Sequence, residues 1–185
     1  MHDQSSKSTL SLYEHPEGVE TRAGNVVVYD IGADEAYFGA ARVDGPALVW
    51  KIGDGGGGAA LSADVDLSAA EDWILRCDRI DFPPGGVAYR HTHPGAGIRR
   101  VLFGSIHIDA PGHSHTYGSG DAWLEDADYP VLATTSEAEP TAFVRVMLLP
   151  AEWEGKRTIR YLDPADEVKP KLQRPTVFFD RRLEL

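Results

Sequence analysis

Short apolar runs separated by Gly, Pro and Asp clusters recur along most of the chain: NVVVYD, AYFGAARV, ALVWKI, DWILRCDRIDF, VAYRHTH, IRRVLF, SIHID, DAWLE, VLATTS and AFVRVMLLP. Most are of strand length, and several alternate with period two or are rich in Val, Ile, Tyr, Phe and Trp. No stretch carries the stripe of a long helix; SADVDLSAAEDW predicts at most one short helical turn. The pattern predicts an all-β protein, an antiparallel sandwich or barrel.

The flanks differ in texture. Residues 1–22 are polar and predict an arm ordered only where it docks. Residues 23–150 hold the apolar runs. From 151 to 185 the chain is charged and interrupted by proline, with only TIRYL and TVFF as apolar islands, which predicts an extension packed on the barrel or on a second copy of it. The glycine-dense GDGGGGAA formally contains G-x-G-x-x-G at Gly53, Gly55 and Gly58. A dinucleotide site needs a helix opening at the third glycine, and ALSADVDL does not supply one, so this stretch predicts a surface loop.

Composition narrows the partners. A chain of 185 residues with 42% hydrophobic content sustains one substantial core. A formal charge of −11 opposes binding to nucleic-acid phosphates, which needs a basic face, and no apolar run reaches the length of a membrane span. With no basic-then-apolar leader in the N-terminal residues, a cytoplasmic location is expected. The lone Cys77 sits inside an alternating run and predicts a small buried side chain. Ser119, in GSG, has no strand, elbow and helix around it to make a nucleophile.

The chemistry concentrates in FPPGGVAYRHTHPGAGIRRVLFG, residues 82–104. On a strand, side chains two apart share a face about 6.5 to 7 Å apart, so His91 and His93 can converge on one metal. Paired imidazoles suit iron, zinc, manganese, nickel or copper. Tyr89 and Val87 are expected on the same face.

Here the sequence resembles the cupin superfamily of double-stranded β-barrels, related to jelly rolls, whose first motif is G-x5-H-x-H-x3,4-E-x6-G. Gly85, His91, His93 and Gly104 fall at that spacing, and Gly97 occupies the glutamate position. The second motif, G-x5-P-x-G-x2-H-x3-N, is matched by Gly120, followed by Asp121; Asp126, Asp128, Val131 and Thr135 stand at its proline, glycine, histidine and asparagine. The resemblance covers about residues 80–149 and implies a cupin barrel with N-terminal strands and a C-terminal extension. It also implies a homodimer, formed through edge strands and that extension. No acid lies between His93 and Asp109, and no histidine follows His115, so the family's glutamate and third histidine ligands are both absent.

Glu125, at the end of the Gly-Asp strand, is one candidate to complete a site with His91 and His93; water is another. His113 and His115 form a second same-face pair, expected as exposed residues of a hairpin, and His107 is expected to face solvent. If the cupin parity holds, Arg99 points inward and Arg100 outward, and an inward guanidinium must hold either Glu125 or an anionic ligand. Trp50, Trp73, Trp123 and Phe143 read as core. Trp123 shares a face with Glu125 and offers a platform for a flat ligand.

Two functions follow from these residues. One is a metal-dependent enzyme acting on a small organic acid, with a divalent transition metal on His91, His93 and Glu125 and with Arg99, Tyr89 and Trp123 on the ligand. The other is a barrel that binds or senses a small ligand without a metal. A barrel kept only for assembly is a third reading.

Overall fold

The computed structural model describes residues 6–67 and 72–184. In chain order the strands are β1 (Ser6–His15), β2 (Val19–Glu20), β3 (Val26–Asp30), β4 (Glu35–Phe38), β5 (Arg42–Val43), β6 (Ala47–Gly53), β7 (Leu61–Leu67), β8 (Trp73–Phe82), β9 (Val87–Thr92), β10 (Gly97–Phe103), β11 (Ser105–Ala110), β12 (His113–Gly118), β13 (Ala122–Glu125), β14 (Val131–Thr135), β15 (Thr141–Pro150), β16 (Arg160–Tyr161) and β17 (Arg174–Arg182). Two short 3-10 turns, Ala151–Trp153 and Pro164–Val168, are the helical elements among the described residues.

The strands form three antiparallel five-stranded sheets, ordered β4-β3-β6-β1-β7, β13-β10-β15-β8-β17 and β12-β11-β14-β9-β16. Within the last two, strands β8 to β15 follow jelly-roll order. The first, third, sixth and eighth of these strands lie in one sheet, and the second, fourth, fifth and seventh in the other. β17 extends one sheet beside β8, and β16 extends the other beside β9.

The middle sheet is covered on both faces. One face packs Leu75, Cys77, Ile98, Val144, Val146 and Leu148 against Leu10, Leu12, Val27, Tyr29, Leu48 and Trp50 of the N-terminal sheet. The other turns Ile80, Phe82, Val101, Trp123 and Phe143 toward Ile106, Ile108, Val131 and Ala133 of the third sheet. A strand buried on both faces reads as a continuous apolar run, which accounts for AFVRVMLLP. Burial also raises the Cys77 thiol well above its ordinary range, so it stays protonated.

One sequence expectation fails here. Residues 6–15, read as part of a polar arm, form β1 between β6 and β7. Their Leu10 and Leu12 alternate into the core while the polar residues between them lend the segment its hydrophilic look. The first part of SADVDLSAAEDW belongs to β7, where Val65 and Leu67 are buried two apart; residues 68–71, where a helical turn would fall, lie outside the described residues.

Candidate metal centre

Facing sheets and the C-terminal extension line a cavity of about 590 Å³ that includes His91, His93, Arg99, Trp123, Glu125 and Arg145 among apolar and further charged side chains. β9 delivers the first histidine through an irregularity. Its pairing with β14 runs Val131 to His91 but Ala133 to Ala88, so one residue is inserted and the facing parity switches. Ala88 and His91 both line the cavity as a result. Tyr89, expected on the histidine face, is not part of the lining; Lys169 lies over its ring at 4.6 Å. What it supplies instead is a carbonyl, 2.7 Å from His91 Nδ1.

Those contacts fix both imidazole tautomers. A carbonyl only accepts, so His91 Nδ1 carries the proton and Nε2 keeps its lone pair. For His93, Arg145 Nη1 lies 3.3 Å from Nε2 and can only donate, which leaves Nδ1 to donate to Thr158 Oγ1 at 3.1 Å. Burial lowers the pKa of His91 below the ordinary imidazole value, and burial with the neighbouring Arg145 lowers that of His93 much further. Both rings are neutral at pH 7, the form that binds metals.

Glu125 enters from β13, opposite Gly97 of β10. Its Oε1 accepts from Trp123 Nε1 at 2.9 Å, and its Oε2 lies 2.8 Å from Arg99 Nη2. Arg99 is 1% exposed and faces inward, donating through Nη1 to the Gly97 carbonyl at 2.8 Å. Its Nη2 has no aligned hydrogen-bond acceptor, so the contact with Glu125 is an ion pair of poor direction. Burial pulls the guanidinium pKa down to about 10, against the pull of Glu125, and it remains a cation at neutral pH. Arg100 faces the other way and pairs with Glu14 at 3.0 Å.

Further buried ion pairs surround this group. Arg145 makes a bidentate contact with Asp78 at 2.7 and 3.0 Å. Arg76 does the same with Asp180 at 2.7 Å twice, and also donates to the Lys156 and Trp153 carbonyls. Sequence reasoning missed Arg76, Asp78 and Arg145. Their signal was present: in WILRCDRIDF and AFVRVMLLP each charge interrupts an apolar strand at the parity facing away from Cys77 or Val144.

The described residues contain one group of three metal-capable side chains, His91, His93 and Glu125, all buried, with donor atoms within 4.8 Å of one another. Two neutral imidazoles and a carboxylate fit a divalent transition metal by donor type. Both histidines donate through Nδ1 to oxygen, as ligating imidazoles do. To ligate, His93 must give up Arg145, whereas each Glu125 oxygen keeps a lone pair beside its contact with Trp123 or Arg99. The exposed His113 and His115 lie on β12, their rings 6.3 Å apart. His107 contacts Thr116 and Ser114.

Jelly-roll order with an inward His-x-His pair at its second strand makes this a cupin-fold protein. No protein-family model matches the chain, and no curated protein matches it in sequence. Similar solved structures include an RmlC-like cupin from Shewanella frigidimarina, at 19% identity and TM-score 0.38 over 42% of this chain and 68% of that one. The polyketide cyclase RemF of Streptomyces resistomycificus is 22% identical, TM-score 0.39, over 52% and 64%. KdgF from a Halomonas species is 20% identical, TM-score 0.35, over 42% and 69%.

Proposed function

We propose that the barrel holds one divalent transition metal on His91, His93 and Glu125 and acts on a small organic acid bound beside it. The observation that carries this reading is the convergence of three buried donors, His91 from one sheet and Glu125 from the facing one, on one cavity. A metal bound there supplies Lewis acidity and lowers the pKa of water. Arg99 orients an anionic group, and Trp123 covers it with a flat apolar face while holding Glu125 in place. The charge of the lining favours an acid: Lys156, Arg157 and Lys171 join the three inward arginines, against Asp78, Glu125, Glu167 and Asp180.

Metal analysis of the untagged protein tests this, with the double variant His91→Ala and His93→Ala as control. Near-stoichiometric metal that is lost in the variant supports the site; metal retained in the variant overturns it. A metal-free, ligand-binding barrel is favoured by one observation, the Arg145 contact with His93 Nε2. No metal uptake after reconstitution with iron, zinc, manganese, nickel and copper selects that reading.

A further inference from the structure

The cavity is divided by polarity, and the division crosses three strands in register. Along β8 the lining residues run Arg76, Asp78, Ile80 and Phe82, a polar half followed by an apolar half over about 20 Å. On β15, Arg145 stands opposite Asp78 and Phe143 opposite Ile80. On β10, Arg99 stands opposite Arg145, and Val101, which belongs to the core beside the cavity without lining it, stands opposite Phe143.

Each half has unmet capacity. In the polar half, Arg99 Nη2 is buried without an aligned acceptor, and Arg145 Nη1 spends an N–H on a neutral imidazole 3.3 Å away. A planar carboxylate matches such guanidinium donors. In the apolar half, Ala88 and Ala133 face each other across β9 and β14 and both line the cavity. With only methyl groups there, this part of the lining is low beside the larger Ile106, Ile108, Phe82 and Phe143, which also line the cavity.

We infer that the cavity takes an amphipathic monocarboxylate, its head on Arg99 and Arg145 and its hydrocarbon body in the compartment left open by Ala88 and Ala133. This deepens the small-acid reading by naming the acid's class, and it holds with or without a metal. A short hydrophilic acid leaves the apolar half unfilled; a neutral alcohol of the same length leaves the arginines unserved.

Titration calorimetry on the full chain, chelator-treated and Zn2+-loaded, with acetate (by competition), octanoate and 1-octanol tests the inference. Each buried methylene is worth about fourfold in affinity, so octanoate is expected to bind about 100-fold tighter than acetate or better. It is also expected to bind at least tenfold tighter than 1-octanol. Ala133→Leu, and independently Ala88→Leu should one fail to fold, is expected to weaken octanoate at least tenfold and leave acetate unchanged. Octanoate binding no tighter than acetate, octanol matching octanoate, or folded filled variants binding octanoate normally would overturn it. Loss of the metal reading shows separately, as absent Zn2+ uptake, while the chelator-treated titrations still decide the ligand class.

Discussion

Gly97 on β10 and Glu125 on β13 are register partners, so the strand pair brings a carboxylate to the histidines from the neighbour of the position that has none. Position 97 has no room for a side chain. A Cβ there would lie 2.8 Å from both Met147 Cγ and the Val146 carbonyl oxygen.

Gly97→Ala is therefore expected to destabilise the fold by about 1–3 kcal/mol through overpacking against a backbone atom that cannot rotate away. Thermal and urea melts check this. The same variant should still take up metal wherever it folds, because no ligand comes from residue 97.

Glu125→Gln keeps an acceptor for Trp123 but leaves Arg99 as a buried cation without its counter-charge. Removing one partner of such a pair costs about 3–5 kcal/mol. Weaker metal uptake is expected as well. Adding Arg99→Met should recover much of the stability and none of the metal uptake, which separates the carboxylate's two roles.

Asp78→Ala should cost a similar amount, about 3–5 kcal/mol, because it strands Arg145 inside the barrel. Freed from Asp78, Arg145 becomes a stronger competitor for His93, and metal affinity should fall. Urea melts and metal titration of the variant read both effects.

Asp180 links β17 to Arg76 and to the Gly155 amide, and although burial alone would raise its pKa, those donors hold it below the ordinary carboxylate value. A lowered folded-state pKa means the contribution is present above the unfolded value, near pH 4, and disappears as pH falls through the folded one. The melting-temperature gap between wild type and Asp180→Asn should be widest above about pH 5, begin to narrow near about pH 4, and close only below the folded-state value.

Much of the barrel was legible because its signals are local. Turn glycines, period-two alternation and the His-x-His spacing belong to single strands, and they located β9 and His91 with His93. Glu125 and Arg99 were reachable by counting parity along regular strands. Tyr89 failed because one inserted residue in β9 reverses parity, and nothing in VAYRHTH marks where the insertion falls. β1 was hidden by its polar residues, although Leu10 and Leu12 carry the alternation. The buried Arg145–Asp78 and Arg76–Asp180 pairs join residues 67 and 104 positions apart, a relation that only the pairing of strands creates.

The placement of β17 beside β8 also sets an order of assembly. His93 waits for Thr158, and Arg76 waits for Asp180, so the cavity wall stays incomplete until Asp180 has been synthesised. During synthesis, β8 emerges with one edge and its buried Arg76 unserved for the time it takes to make about a hundred more residues. Over that interval the unfinished barrel offers a neighbouring ribosome's product an open strand edge, the kind of template that domain swapping uses.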